Sequence, residues 1–286
     1  MAENMRTLVH LSDLHFGRID NALVEPLIEC VTQIKPDVIA VSGDLTQRAR
    51  TSQFIRARRF LDRLPSPQIV VPGNHDVPLY DVFRRFLQPR DKYRRYITND
   101  LEPFYSDDEI AVIGINTARS LTIKGGRING YQMARVCARL CPLGTAVTKI
   151  IVTHHPFDLP SGYDDAELVG RARKAMEMFA SCGADLFLAG HLHVSHAGNT
   201  AARYQISGHS ALVVQAGTAT SSRARGESNS FNVVRIDRPY MGVERFTWRP
   251  ERKTFALLST KRFQYLSGEW SPISNGGTVA DGSPSI

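Results

Sequence analysis

Five short apolar runs, each β-branched or leucine-rich and closed at once by Gly, Pro or a polar residue, punctuate the first two thirds of the chain at residues 7–11, 38–41, 69–71, 150–152 and 186–189. Runs without polar alternation are what strands covered on both faces require. Between them, apolar positions recur at helical spacing. Leu23, Leu27, Ile28, Val31 and Ile34 do so within 21–34, and Phe54, Ile55, Phe60, Leu61 and Leu64 within 51–64, while 130–140 and 171–181 are two further helical segments. The alternation predicts a layered α/β architecture with parallel strands. Residues 109–115 and 204–255 read differently. The strand-like segments 211–215, 231–236 and 243–248 follow one another without helices, so the C-terminal third is expected to be antiparallel and to form a mixed second sheet packed on the first. A Gly/Ser/Pro-rich stretch without periodicity, 271–286, is expected to be a disordered tail after a domain spanning 1–270.

Composition narrows the class. The chain has 286 residues, 42% hydrophobic and 22% charged, ordinary values that exclude a disordered, collagen-like or coiled-coil chain. No apolar run approaches the roughly 18 residues of a membrane-spanning helix. The N-terminal residues run directly into the first strand with no apolar leader, so the expected location is cytoplasmic. Cys30, Cys137, Cys141 and Cys182 are scattered and read as reduced thiols. The formal net charge of +7 fits an anionic substrate and equally a solvated surface.

The candidate chemistry follows the strands. Six of the nine histidines (His15, His75, His154, His155, His191 and His193) come just after four of the five runs, and Asp44 follows the other. In an open α/β sheet, ligands bind in the crevice beyond the carboxyl ends of the strands, so residues at five such ends can converge. Asp13 and His15, and likewise His191 and His193, stand two residues apart and reach the same side of an extended segment. Asp44 follows Gly43 in a tight turn, where its two oxygens can bridge two cations. Asn74 adds an amide oxygen and His154 another imidazole. Two carboxylates, one amide and four imidazoles, without thiolate, suit Mn, Fe or Zn rather than a closed structural zinc site. Seven ligands exceed the needs of one ion, so two ions bridged by Asp44, about 3.5–4 Å apart, are the economical reading.

Asp13-x-His15, Gly43-Asp44, Gly73-Asn74-His75-Asp76, His154 and Gly190-His191-x-His193 together resemble the five ordered motifs of the calcineurin-like metallophosphoesterase superfamily, over about residues 6–195. The resemblance implies a four-layer αββα sandwich with two mixed β-sheets. It also implies one metal held by Asp13, His15, Asp44 and His193, a second held by Asp44, Asn74, His154 and His191, and His75 as the catalytic histidine that contacts the phosphate and protonates the leaving oxygen. Within the superfamily, Leu11-Ser12-Asp13-Leu14-His15, Gly114-Ile115-Asn116-Thr117 and His154-His155-Pro156 are most similar to bacterial class III cyclic nucleotide phosphodiesterases and glycerophosphodiester hydrolases. The implied function is hydrolysis of a small phosphodiester, cyclic nucleotides first, by attack of a metal-bound hydroxide. A metal-dependent nuclease and a phosphomonoesterase are the alternatives, and analogy also suggests a homodimer.

Other residues are less constrained. Asn116 and Arg119 follow a strand and are either substrate contacts or a strand-end turn with a surface cation; Arg223 and Arg225 carry the same two readings. His155 either orients a ligand or substrate or shapes the turn before Pro156, and Asp76 is read as a cap or a support for His75. His10, His196 and His209 are read as structural or surface residues. The basic residues Arg84, Arg85, Arg90, Lys92, Arg94 and Arg95 interleave with Phe83, Phe86, Tyr93 and Tyr96. That pattern is read as an amphipathic helix or cap with aromatics packed down in preference to a nucleic-acid surface.

Overall fold

The structure is a computed structural model in which residues 5–79, 82–120, 125–222 and 226–273 are described. In chain order the first half holds β1 (Arg6–Leu11), α1 (Val24–Ile34), β2 (Val38–Val41), α2 (Thr51–Leu61), β3 (Gln68–Val70), α3 (Val82–Leu87), α4 (Asp91–Tyr96), β4 (Phe104–Ser106) and β5 (Ile110–Gly114). The second half holds α5 (Gly130–Leu140), β6 (Thr148–Val152), α6 (Ala172–Ser181), β7 (Leu186–Ala189), β8 (His196–Asn199), β9 (Leu212–Gln215), β10 (Ser230–Asp237), β11 (Tyr240–Arg249), β12 (Thr254–Leu266) and β13 (Glu269–Pro272).

The strands form two mixed sheets. One has the order β13-β12-β11-β10-β1-β2-β3, the other β4-β5-β6-β7-β9-β8. Pairing is parallel along β1-β2-β3 and along β5-β6-β7-β9, and antiparallel elsewhere. Successive side chains of a strand point to opposite faces, and here both faces are buried. Leu8, Val38, Ala40 and Ile69 face Val112, Ile150, Leu188 and Val214 between the sheets. Val9, Ile39 and Val41 pack outward against Leu27 and Val31 of α1 and Phe54 and Leu61 of α2. Ile113, Ile151 and Phe187 do so against Met133 and Val136 of α5 and Met176 and Phe179 of α6. Two sheets, each with helices on its outer face, give the expected four-layer αββα sandwich. Full burial of each such side chain contributes about 1.5–3 kcal/mol, which explains why the strand runs carry no polar alternation.

Local chemistry sets the element ends. Asn129 accepts from the Gln132 backbone N–H at 2.9 Å while Gln132 Oε1 accepts from the Asn129 N–H, a capping box that opens α5 at the expected residue. α1 closes at Lys35, in the left-handed region at φ 52°, immediately before Pro36. The helix expected over 21–34 begins as a 3-10 turn, Asn21–Leu23, capped by Asp20, and that expected over 51–64 ends at Leu61.

Several expectations need correction. The five motif-bearing runs do not share one sheet: β1, β2 and β3 belong to the seven-stranded sheet, β6 and β7 to the six-stranded one. Segment 211–215 becomes β9, parallel to β7, because β8 and a loop rather than a helix make the return. Ser271 and Pro272 pair with Gln264 and Phe263 in β13, so these two residues are strand and not tail, and residues 274–286 lie outside the described residues. Cys141 and Cys182 are joined in a disulfide, not free: α5 and α6 lie side by side on one sheet and bring their C-terminal ends to a Cα–Cα distance of 4.4 Å. That removes the cysteine argument for a reducing compartment; Cys30 and Cys137 are free thiols. In the basic aromatic segment, Tyr93 is buried and its hydroxyl donates to Val70 O at 3.0 Å, but Phe83 and Phe86 are 74% and 54% exposed, so α3 does not pack its aromatics down. Among the described residues, no helix is long and apolar enough to cross a membrane.

Candidate functional site

The parallel strands of the two stacked sheets end at one edge, and the five loops there interlock. The Asp13 N–H donates to Gly43 O at 3.1 Å, the His15 N–H to Asp44 O at 2.9 Å, and the His191 N–H to the Asp13 carboxylate at 3.1 Å. Asp13, His15, Asp44, His191 and His193 all adopt positive φ, between 52° and 74°. Non-glycine residues occupy that region rarely and gather there at functional sites. Glycine is required where the loops touch: a Cβ on Gly73 would stand 2.1 Å from Asp44 Oδ1, and one on Gly190 1.8 Å from Ser12 Oγ.

Two donor clusters result. In the first, His193 Nε2 and His15 Nε2 lie 3.1 Å and 3.5 Å from Asp13 Oδ1 and 3.3 Å from each other. In the second, His154 Nε2 lies 3.0 Å from Asn74 Oδ1 and 3.5 Å from Asp44 Oδ2. Asp44 Oδ2 is also 3.8 Å from His15 Nε2 and 4.0 Å from His75 Nε2, which places this carboxylate between the clusters. Asp13, His15, Asp44, His154 and His193 are buried, and His75 stands at the rim with 28% of its side chain exposed.

The donors converge as ligands would. Asp13 Oδ1 is buried and has no hydrogen-bond partner among the described residues, although two imidazole nitrogens lie within 3.5 Å of it. The groupings Asp13/His15/His193, His15/Asp44/His75, Asp13/Asp44/His154 and His154/His155/His191 each bring their donor atoms within 4.8 Å of one another. A nitrogen and oxygen set of this kind fits a divalent transition metal.

Hydrogen bonds fix the rings. His154 Nδ1 is 2.8 Å from Ser42 O and His75 Nδ1 2.8 Å from Gln47 O; each Nδ1–H donates to its carbonyl and leaves Nε2 as the lone-pair nitrogen. His155, fully buried over Gly126, pairs its Nδ1 with Thr117 Oγ1 at 2.8 Å, and its ring centroid lies 4.7 Å from that of His191. Asp76 braces two loops by accepting from the N–H groups of Gly73, Leu45 and Thr46 and from Thr46 Oγ1.

The charges follow from this packing. Burial pushes the Asp13 carboxyl up, but His193 and His15 beside it outweigh burial and hold it well below the usual carboxylate range. Asp44 is likewise lowered against burial by His154, His75 and His15. Asp76 is pushed up to about 6 by burial and by Asp44. His191 is lowered to about 4, chiefly by burial and then by His154.

The peripheral residues divide. Asn116 Oδ1 accepts from the Ala118 N–H, Asn116 O accepts from Gln132 Nε2, and Arg119 donates to Gln132 Oε1, so these two side chains build the β5–α5 loop while Thr117 between them reaches His155. Arg223 and Arg225 lie outside the described residues. His10 pairs with Ser42 Oγ inside β1, as a structural residue does. Sequence reasoning missed Thr117, Ser42, Gln47 and above all Glu167, whose Oε2 lies 3.1 Å from His191 Nε2. Glu167 sits in the acidic run Asp164-Asp165-Ala166-Glu167, which reads as an ordinary surface turn.

Known proteins resemble this chain in sequence and fold. The chain is 26% identical over 170 residues to the glycerophosphodiester phosphodiesterase GpdQ of Enterobacter lignolyticus, covering 55% of this chain and 60% of that protein. It is 27% identical over 169 residues to a probable cyclic nucleotide phosphodiesterase of Synechococcus sp., covering 52% and 58%. The matches thus span less than two thirds of these curated relatives. The fold superimposes on the structure of PhoD with a TM-score of 0.70 at 10% identity, covering 98% of this chain and 73% of that one. The sequence profile of the calcineurin-like phosphoesterase family matches residues 6–195, a span that contains all five motif-bearing strand ends, and the chain therefore belongs to that family.

Proposed function

We propose that this chain is a dinuclear metal-dependent phosphodiesterase that hydrolyses small phosphodiesters, cyclic nucleotides first and glycerophosphodiesters next, within a single domain over about residues 1–270. The observation that carries the reading is the position of Asp44, whose one carboxylate faces His15 on one side and His154 on the other. The names of the two relatives, one acting on glycerophosphodiesters and one on cyclic nucleotides, support the substrate class.

Asp13, His15, Asp44 and His193 would hold one divalent ion and Asp44, Asn74, His154 and His191 the other, with Mn, Fe or Zn the metals this donor set suits. Such ions neutralise phosphoryl oxygens and acidify water toward neutral pH. The protein's own groups do the rest. Interlocked loops and buried carboxylates keep the donors fixed before substrate arrives, so little reorganisation accompanies charge development. His75, at the rim with its Nδ1–H committed to Gln47 O, presents Nε2 to a bound phosphodiester; with a second proton taken up on Nε2, the imidazolium acts either as general acid to the leaving oxygen or as a donor to a phosphoryl oxygen. His155, beside His191, would flank the substrate, and Asn116 and Arg119 would hold the loop next to it.

The test is hydrolysis of bis(p-nitrophenyl) phosphate against p-nitrophenyl phosphate by chelator-treated protein, with Mn²⁺ added back. Metal-dependent cleavage of the diester is expected, followed by cleavage within a panel of 2′,3′- and 3′,5′-cyclic nucleotides. Cleavage of the monoester alone would replace this reading by a phosphatase, and cleavage of oligonucleotides in preference to cyclic nucleotides, with steep salt dependence, by a nuclease.

A further inference from the structure

Glu167 belongs to none of the five motifs, yet it reaches into the site. Its carboxylate contacts His191 Nε2 at 3.1 Å, with 38% of the Glu167 side chain exposed and 9% of that of His191. The residue closes a 3-10 turn, Asp165–Glu167, between β6 and α6. The turn is anchored from several sides. Asp164 caps it through the Ala166 N–H, and Arg203 binds both Asp158 and Asp165. The Val169 N–H donates to Pro156 O at 2.9 Å and the Gly170 N–H to Gly126 O at 2.8 Å, with the Val169 side chain buried in the core. The Glu167 carboxylate is therefore delivered to the histidine by a braced loop.

A neutral imidazole has one N–H and one lone pair, and a carboxylate only accepts. The contact thus makes Nε2 the protonated nitrogen of His191 and leaves Nδ1 with the lone pair. His154 and His75 have their tautomers fixed the same way, but by the backbone carbonyls of Ser42 and Gln47. His191 differs in that a charged side chain does it, and a carboxylate raises the basicity of the ring more than a neutral carbonyl does.

We propose that Glu167 is a positioning residue that sets the tautomer and orientation of His191 and thereby the affinity of the second metal position. This rests on the two-ion reading above, and the experiment separates the two. Full-length wild-type protein, Glu167→Ala and Glu167→Gln are stripped with chelator and titrated with Mn²⁺ by calorimetry, and metal content is measured after dialysis. Thermal melts of the stripped proteins report folding. Wild type binding two ions supports the dinuclear reading; fewer than two overturns it, and the role of Glu167 with it. Given two ions, Glu167→Ala is expected to keep one affinity and weaken the other by about 10- to 100-fold, with Glu167→Gln, which still accepts a hydrogen bond, in between. Unchanged binding at both positions, or equal weakening of both with a lower melting temperature, would show that the contact only holds the loop and would overturn the proposal.

Discussion

The backbone N–H of His75 donates to Asp44 Oδ1 at 2.8 Å, while the other oxygen of Asp44 lies within 4.0 Å of three imidazoles. One carboxylate thus ties the loop after β3 to the loop after β2 and stands between both donor clusters. Asp44→Asn removes the bridging charge, and an amide N–H₂ in place of Oδ2 offers a cation no lone pair. The variant is expected to bind fewer ions than wild type and to lose more diester turnover than any change at His75. Retention of two ions, measured by metal analysis after dialysis, would refute the bridging role.

His75 supplies a different quantity. Its exposed rim position suits contact with substrate, and its removal leaves both donor clusters intact. His75→Ala should lower kcat by roughly 10²- to 10⁴-fold, the usual worth of a general acid, with metal content unchanged. A p-nitrophenolate leaving group needs little protonation and an alkoxide needs much, so the loss should be larger on an alkyl diester than on an aryl one. Equal losses on both would assign His75 to the phosphoryl oxygen instead.

The metal-like donors were legible in the sequence because they must follow strands immediately, and the strands are apolar on both faces. Asp13, Asp44, Asn74, His154 and His191 each stand within four residues of such a run. What was not legible depends on contacts distant in the chain. Glu167 looks like any acidic turn until the loop is folded against His191, 24 residues later. Edge strands also escaped: β8, His-Ala-Gly-Asn, is half-buried and carries no apolar run, so its strand state comes from pairing with β9. The division of five similar runs between two sheets is invisible to periodicity, which reports burial and not neighbours.

Asp76 predicts a stability effect separate from chemistry. Both of its oxygens accept two bonds each, three of the four donors being backbone N–H groups of Leu45, Thr46 and Gly73. Asp76→Ala would leave those donors buried without acceptors, at a cost of about 1–3 kcal/mol for each group that water does not reach. A fall of about 3 kcal/mol in urea unfolding of metal-free protein is expected, and a change below about 0.5 kcal/mol would show that the loops do not depend on this brace.

The Cys141–Cys182 bridge closes a loop of sequence separation 41. A loop of that length restricts the unfolded chain by about 4 kcal/mol in the entropic account. Cys141→Ser is expected to lower unfolding free energy by roughly 2–4 kcal/mol under non-reducing conditions and by nothing further in reductant. Mass spectrometry of a proteolytic digest should recover the 141–182 linkage in wild type, and free thiols at both positions in protein purified without reductant would contradict the pairing.

His10 makes the fold sensitive to acid. It is buried in β1 beside Ser42, and burial lowers its pKa to about 3 from an ordinary value near 6.5, with Asp13 opposing only weakly. The unfolded chain therefore takes up a proton at this residue that the native protein refuses. The sign follows: this contribution to stability is complete above pH 6.5 and is lost as pH falls toward 3, at about 1.4 kcal/mol per pH unit once the unfolded imidazole is charged. His10→Gln keeps a polar partner for Ser42 but does not titrate. Between pH 7 and pH 5 the metal-free wild type should lose about 2 kcal/mol more than the variant in urea unfolding. Other lowered histidines, such as His191 and His196, contribute the same slope to both proteins and cancel in the difference. Parallel pH profiles for the two proteins would mean that His10 is solvated or charged in the native state.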